Sequence, residues 1–365
     1  MRFLEAVQYC IDRNLIFAAY RLPHSDAVRL IVQKNNTLRK IDVASQLSEL
    51  RGFVVSPFKE CEQNNSYIIE PHLNYISTDY IDFNDLLELP ETPLSEAFFD
   101  NGVVSKLDFT RQVESIQHAI EEQQFEKAVL SRIKVLERNY RSKLTQIFQM
   151  LISSYPNAFI YIFNIQEQLW IGATPEPLLC TNKNELETVS LAGTRQFSAD
   201  NLNLNNWSRK ERIEQQLVTC YIEKILDKFD VLKYQKVGPY TKKAGNLVHL
   251  RTDFSLKYNR IGSLTGQLVM ELHPTSAVCG LPKQPAMDFI LKTEKHNRKY
   301  YSGFLGPVNI DERLLLYVNL RCMQVLPDRL VLYVGAGITP DSNPADEWDE
   351  TELKADTLLS VIHKM

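Results

Sequence analysis

The segment YVGAGITPDSNPADEWDETELK, residues 333–354, joins a predicted strand to a predicted helix. The apolar run at 330–334 is typical of a buried strand, and Gly335-Ala336-Gly337 follows it directly. Glycine has no Cβ and tolerates positive φ, so the backbone amides of such a stretch can approach a ligand closely. The sequence therefore predicts a strand that ends at 334 and a candidate ligand contact in the three residues that follow.

The predicted helix of this segment carries Glu347, Glu350 and Lys354 on one face, because they are spaced by three and four residues. This spacing has two interpretations. Glu–Lys pairs are common on solvated helix faces, where they add little stability. Alternatively, two carboxylates and a lysine beside glycine amides can bind a carboxylate ligand through a divalent metal ion.

The 365-residue chain has the composition of a soluble globular protein, with 44% hydrophobic and 24% charged residues, and its length allows one large domain or two. Its net charge of −4 gives no electrostatic reason to expect nucleic acid or an anionic membrane as a partner. The six cysteines are scattered without a CxxC pair, the first residues do not form a signal-peptide pattern, and no apolar run reaches the roughly 18 residues of a transmembrane helix. We therefore expect a cytoplasmic protein.

The first hundred residues carry no group of side chains to which chemistry can be assigned. Helical spacing of apolar residues predicts a helix over 4–19, and short apolar runs predict strands at 27–32 and 53–55. Residues 57–100 are predicted to be irregular, because Asn, Ser and Pro separate short apolar runs. We expect this part of the chain to have a structural role.

Several ionisable residues further along the chain are candidates for chemistry, although each also has a common structural explanation. Lys127 opens a predicted strand, and Glu176 lies in a stiff, extended corner between two prolines. Glu214 lies beside the apolar stripe of a predicted helix, where a solvated carboxylate is the usual finding. His273 precedes a proline, a position more often occupied by a packed or turn histidine than by a catalytic one.

Two predicted strands contain residues that are unusual inside a buried strand. The strand predicted over 186–196 is broken at Ala192-Gly193-Thr194. The strand predicted over 314–325 is mostly apolar and contains Arg321. An arginine that points into the protein requires an anion as its partner, so Arg321 is the sharper anomaly.

Six blocks, taken in order, resemble the chorismate-utilising enzymes, which comprise the anthranilate, aminodeoxychorismate, isochorismate and salicylate synthases. The blocks are FEKAVLSR (125–132), GATPEPLL (172–179), SLAGTRQ (190–196), KERIEQQLV (210–218), LHPTSAVCGLP (272–282) with RKYYSGFLG (298–306), and the segment at 333–354. The resemblance covers residues 105–361 and leaves 1–104 as a divergent N-terminal part of a single domain. It implies an α+β fold of two similar α/β halves, with facing antiparallel sheets flanked by helices.

Two positions place the chain in the branch of the family that adds water to chorismate. The first block resembles that of the water users, with Lys127 as the general base, and Ala277 stands where the ammonia users have threonine. The resemblance therefore implies an isochorismate synthase of the menaquinone or siderophore type, active as a monomer or homodimer. A salicylate synthase, which eliminates pyruvate after the same first step, and an inactive binding or scaffold homologue are the alternatives.

The resemblance also implies a metal ion and two catalytic groups. Mg²⁺ would be held by Glu214 and Glu350, with Glu347 close by, since hard oxygen ligands and an anionic substrate suit magnesium. Lys127 would activate the attacking water, and desolvation and the metal would favour its neutral form. Glu176 would protonate the leaving hydroxyl, which requires a pKa raised by a confined, apolar corner.

The remaining residues of the implied site contact the substrate, chorismate. Arg321 and Tyr301 would hold the enolpyruvyl carboxylate. Lys354 and the backbone of Gly335, Ala336 and Gly337 would bind the ring carboxylate. The other implied substrate contacts come from the wall of the pocket and from a histidine that orients the ring: Ala192, Gly193, Thr194, Ala277 and His273.

Overall fold

The structure is a computed structural model that describes residues 2–90, 102–166, 168–182, 184–231, 233–245, 247–258 and 261–365. Its helices and strands, in chain order, are α1 (Phe3–Asp12), β1 (Phe17–Arg21), β2 (Val28–Val32), β3 (Arg39–Lys40), α2 (Val43–Gln46), β4 (Gly52–Ser56), β5 (Tyr67–Ile69), β6 (Leu73–Ile76), α3 (Asn84–Leu87), α4 (Lys106–Glu121), β7 (Lys127–Leu136), α5 (Leu144–Ser154), β8 (Phe159–Ile165), β9 (Gln168–Thr174), β10 (Pro177–Asn182), β11 (Glu185–Gln196), α6 (Arg209–Lys228), β12 (Gln235–Ala244), β13 (Leu247–Lys257), α7 (Thr265–Leu272), β14 (Gly280–Leu281), α8 (Lys283–Thr293), β15 (Phe304–Ile310), β16 (Arg313–Val318), β17 (Cys322–Val325), β18 (Leu330–Ile338) and α9 (Pro344–Ile362).

Within these described ranges the strands form two nine-stranded antiparallel sheets. The order in the first sheet is β14-β7-β18-β17-β9-β8-β1-β2-β6, and in the second it is β12-β13-β11-β10-β16-β15-β4-β5-β3. The N-terminal strands therefore lie at one end of each sheet, β1, β2 and β6 in the first and β3, β4 and β5 in the second. The first hundred residues complete both sheets.

The two sheets face each other across an aromatic core. Phe159 of the first sheet stacks on Tyr317 of the second with ring centroids 4.3 Å apart, and Tyr20 and Phe53 pack nearby. Helices α1, α5 and α9 cover the outer face of the first sheet, α4 and α8 cover its β7–β14 end, and α6 and α7 cover the second sheet. This arrangement confirms the predicted α+β fold of two facing antiparallel sheets flanked by helices.

The helix predicted over 4–19 was wrong beyond residue 12. Helix α1 ends at Asp12, and the apolar residues after it form β1, whose side chains are all buried. A short apolar run buried on both faces has no period that distinguishes a strand from a helix. Within the region 57–100, predicted to be irregular, the structure places β5, β6 and α3, and residues 91–101 lie outside the described ranges.

The single strand predicted over 314–325 was also wrong. It is two strands in different sheets, because β16 pairs with β15 and β10, whereas β17 pairs with β9 and β18. Arg321 lies in the crossover between them, with a positive φ of 49°. The strand predicted to end at 334 instead continues to Ile338, with Gly335 paired to Ser131 and Gly337 to Val129 of β7.

No helix among the described residues has both the length and the apolar character needed to span a membrane.

Candidate active site

A small cavity of about 60 Å³ lies on the inner face of the first sheet, between β7, β18, β11, α6 and α9. Successive side chains of a strand point to opposite faces, so Val129 of β7 and both Gly335 and Gly337 of β18 face the cavity, while Ala336 faces the other way. The cavity wall contains most of the residues that the sequence predicted: Glu176, Ala192, Gly193, Thr194, Glu214, Ala277, Tyr301, Arg321, Gly335, Gly337, Glu350 and Lys354.

Lys127 and Glu214 form a buried ion pair at the edge of the cavity. Lys127 is 0% exposed, and its Nζ donates to Oε1 of Glu214 on α6 at 2.8 Å. A Cβ on Gly337 would lie 2.5 Å from that oxygen and 3.1 Å from Cε of Lys127. The pair therefore depends on the missing side chain at 337.

The pKa of Glu214 is set by two opposing effects. Burial raises it, whereas the ammonium groups of Lys127, Lys354 and Lys210 lower it, and the net result is a pKa below the usual value. Glu214 is therefore a carboxylate at neutral pH, even though it is largely removed from solvent.

Helix α9 brings three of the predicted residues to the site. Lys354 donates from Nζ to Oε1 of Glu350, at 2.6 Å, and to the backbone oxygen of Gly335, at 2.8 Å. Glu347 is buried behind the cavity wall and pairs with Lys210. Burial and the Glu350 charge raise the pKa of Glu347, and Lys210 lowers it less. The i,i+4 pair expected on the helix exists, and it lines the cavity.

The donor chemistry of these carboxylates fits magnesium. Among the described residues no three His, Cys, Asp or Glu side chains are already grouped as a metal site. Glu214 and Glu350 nevertheless reach the same cavity from two helices, and both offer the hard oxygen atoms that Mg²⁺ binds. Magnesium usually keeps several waters and takes only one or two carboxylates, so two carboxylates are sufficient.

Glu176 is the buried acid of the site. It follows β9 between two prolines and is only 4% exposed. Burial raises its pKa to about 7, against the opposing effect of Arg321, Lys127, Lys354 and Arg251. Near neutral pH a large fraction of Glu176 is protonated, so its carboxyl can donate a proton into the cavity.

Arg321 supplies a cationic group at the cavity wall. It is 9% exposed, and within the part of the chain that the structure describes its guanidinium forms no hydrogen bond or ion pair of its own. Tyr301 lies beside it, with its ring stacked on Tyr333 at 5.5 Å, and burial raises the pKa of Tyr301 to about 12. Arg321 and the neutral Tyr301 hydroxyl are therefore placed to bind an anionic ligand.

The predicted break at Ala192-Gly193-Thr194 is a bulge. The register between β11 and β13 shifts between Ala192 and Arg195, and Gly193 adopts a φ of 68°. Strand twist and bending at a bulge direct this stretch of backbone toward the cavity.

His249 on β13 was not among the predicted site residues, and it lines the cavity. Its Nδ1 lies 2.7 Å from the backbone oxygen of Gly193, while Nε2 is buried with no partner among the described residues. Burial lowers the pKa of His249 to about 3, so the ring is neutral, Nδ1 carries the proton and Nε2 is an acceptor. The only signal in the sequence was a histidine between apolar neighbours at the start of a strand.

The structure does not bring His273 to the cavity. Its Nε2 lies 3.0 Å from the backbone oxygen of Pro57, and its ring packs edge-on against Phe304. Burial lowers the pKa of His273 to about 3. The predicted contact with the substrate ring stays a prediction, and the histidine in the cavity wall is His249.

The fold and the cavity define a class of protein: two facing antiparallel sheets that enclose a buried acid and a buried lysine beside a cationic cavity wall. The family model for chorismate binding enzymes matches residues 72–363, and the chain belongs to this family.

Individual relatives agree with this assignment. The isochorismate synthase EntC of Escherichia coli K12 is 29% identical over 246 residues, which are 65% of this chain and 62% of that protein, so the match spans under two thirds of the relative. The structure of DhbC from Bacillus anthracis has a TM-score of 0.78 at 21% identity and covers 99% of this chain and 100% of its own. The structure of MenF, the menaquinone-specific isochorismate synthase of Escherichia coli, has a TM-score of 0.75 at 19% identity. It covers 98% of this chain and 91% of the MenF chain.

Proposed function

We propose that this protein is an isochorismate synthase, an isomerase that converts chorismate to isochorismate with Mg²⁺ as cofactor. The proposal depends mainly on the groups that surround Glu176. This buried acid, with a pKa of about 7, lies in the same cavity as the Lys127–Glu214 pair and Arg321. The reaction requires these parts, namely a base for water, an acid for the leaving hydroxyl and a cation for a carboxylate.

The proposed chemistry uses Lys127 and Glu176 in one concerted displacement. Lys127, as the neutral amine, accepts a proton from water while the water oxygen forms a bond to C2 of the ring. The ring double bond shifts, the C4–O bond breaks, and Glu176 donates its proton to the departing hydroxyl, which leaves as water. One water enters and one leaves, so the product is an isomer of the substrate.

Substrate binding is assigned to the cationic and small residues of the cavity. Arg321 binds the enolpyruvyl carboxylate, in a geometry that allows two parallel hydrogen bonds, and Tyr301 adds a third donor. Lys354, anchored on the backbone of Gly335, faces the ring carboxylate. Small side chains and backbone at Ala192, Gly193, Thr194 and Ala277 leave room for the ring.

Magnesium is assigned to Glu214 and Glu350, with Glu347 behind them. When bound, the ion supplies positive charge that holds the ring carboxylate and stabilises negative charge in the transition state. The two carboxylates position the ion, and Lys354 balances the charge of Glu350. A bound ion would take over the charge of Glu214 that Lys127 pairs with, which would favour the neutral amine of Lys127.

The compartment, the oligomeric state and the pathway of the enzyme are part of the same proposal. All six cysteines are free thiols, which suits the reducing cytoplasm. Chorismate is the proposed partner, and a monomer or homodimer is the expected state. The product would serve menaquinone or siderophore synthesis.

A chromatographic assay tests the function directly. Purified protein incubated with chorismate and Mg²⁺ is expected to form isochorismate as its single product. Salicylate with pyruvate would instead identify a salicylate synthase. An aminated product formed with ammonium salts, with none from water, would contradict the role of Lys127 as base for water, and no turnover would favour a binding homologue.

Glu350→Gln is expected to raise the Mg²⁺ concentration required for half-maximal activity by at least tenfold, because an amide oxygen is a weaker ligand than a carboxylate. Calorimetric titration of Mg²⁺ into the protein gives the same comparison without turnover. Asp349→Asn is the matched control, since Asp349 is the preceding residue of α9 and its side chain is 68% exposed. An unchanged magnesium titration for Glu350→Gln would remove Glu350 from the metal site.

A further inference from the structure

The small cavity opens into a much larger cleft of about 1270 Å³. The two spaces share wall residues, including Pro175, His249 and Arg321. The inner cavity has room for only a few water molecules, so a ligand with a ring and two carboxylates has to reach it from the cleft and extend toward it. The cleft is therefore the access route to the site.

The cleft has the opposite charge to the protein as a whole. The complete chain has a net charge of −4, whereas the cleft wall contains three carboxylates, Glu185, Glu187 and Asp253, and twice as many cations. The cations in the wall are Lys242, Lys243, Arg251, Arg313, Arg321 and Lys364. A concave surface with an excess of cations concentrates anionic ligands, so this cleft attracts anions.

Arg251 is the cation best placed to pass an anion from the cleft to the cavity. It lies on β13 two residues after His249, so both side chains point to the same face of the strand. Its Nε donates to Oδ1 of Asp253 at 2.7 Å, and Asp253 also accepts from the hydroxyl of Tyr240 at 2.5 Å. This anchoring holds the guanidinium in place, and its five N–H groups outnumber the two side chains that contact it, Asp253 and Tyr240.

We propose that Arg251 is an anion-binding residue of the access route, which captures a carboxylate of the incoming substrate and directs it to Arg321. The proposal rests on the proposed function for the identity of the anion, chorismate. Its physical basis is the geometry: an oriented guanidinium with more N–H groups than partners lies in the cleft wall outside the cavity, and Arg321 lines both spaces. Arg251 acts on capture of the substrate and takes no part in the chemical step.

Stopped-flow fluorescence measures this capture without turnover. The indole of Trp207 packs behind Gly193, 3.0 Å from where a Cβ would lie, so it is a reporter on the cavity wall. In a Lys127→Gln background, Arg251→Gln is expected to lower the association rate constant of chorismate about threefold to tenfold at low ionic strength. Arg251→Lys, which keeps the charge, is expected to recover most of the rate.

Two comparisons make the test specific. At high ionic strength the rates of Arg251→Gln and the parent are expected to converge, because salt screens the attraction. Arg111→Gln removes the same charge from α4, where the side chain is 67% exposed, and is expected to leave the association rate unchanged. In the active enzyme, Arg251→Gln is expected to lower kcat/KM and to change kcat little.

The outcomes separate this proposal from the proposed function. An association rate for Arg251→Gln equal to the parent at low salt would overturn the role of Arg251, even in a protein that makes isochorismate. A decrease that persists unchanged at high salt would overturn it as well, since it would indicate a structural defect. A salt-dependent decrease would support the role of Arg251 even in a protein that binds chorismate and yields another product.

Discussion

Replacing Lys127 with glutamine is expected to lower the rate of isochorismate formation by about 10²–10⁴-fold, the usual contribution of a positioned general base. Glutamine can keep a hydrogen bond to Glu214 but cannot accept a proton from water. Chorismate is still expected to bind, because Arg321 and Lys354 remain in the cavity wall. Product chromatography measures the rate, and intrinsic tryptophan fluorescence measures binding.

The matched control is Lys134→Gln on the same strand. Lys134 pairs with Glu352 at 2.5 Å, away from the cavity, and its side chain is 32% exposed. Its loss is expected to change the rate less than threefold, since partly exposed ion pairs contribute little. Lys127→Gln protein that melts like the parent and retains turnover within tenfold would show that another group activates the water.

The second large effect is expected at Glu176, both on substitution and on changing the pH. Glu176 can donate a proton only while its carboxyl is protonated, and burial raises the pKa of this carboxyl to about 7. Activity is therefore expected to fall as the pH rises through about 7, because the carboxylate has no proton to donate. The pH dependence of kcat/KM reports this ionisation in the free enzyme.

Glu176→Gln is expected to lower kcat/KM by about 10²–10⁴-fold and to remove this decline above pH 7. An amide can form hydrogen bonds in the same corner but has no proton to transfer at neutral pH. Measuring kcat/KM for both proteins from pH 6 to 9 checks the assignment, with circular dichroism as the test of folding. A Glu176→Gln profile that still declines near pH 7 would assign that ionisation to a different group.

The local elements were predictable wherever one periodicity dominates. The amphipathic helix around Glu214 and the alternating strand that begins at Lys127 are both present, with ends that differ by a few residues. Prediction failed where the apolar residues have no period, as in the run after Asp12, and where a strand leaves one sheet for the other, at Arg321. Such a crossover is decided by pairing partners, which a local pattern does not contain.

His273 and His249 show that local sequence patterns also fail to predict which residues reach the site. His273 lies in a block that resembles the family, yet the structure packs it against Pro57 and Phe304. His249 has no local signal beyond its apolar surroundings, yet it reaches the cavity because β13 pairs with the bulged strand β11. Whether a buried side chain faces a cavity or a core depends on which strand lies beside it.

The sequence by itself determined the family, the facing-sheet fold and the types of residue available for chemistry, because the order and spacing of six blocks are properties of the chain. Only the tertiary structure decided that the segment at 333–354 lies against Glu214 and Lys127. The segment contacts Glu214 at Gly337, where any side chain would collide with the Glu214 carboxylate. Strand pairing and helix packing place these groups within a few ångströms although they are far apart in sequence, and that proximity also sets their charges and pKa values.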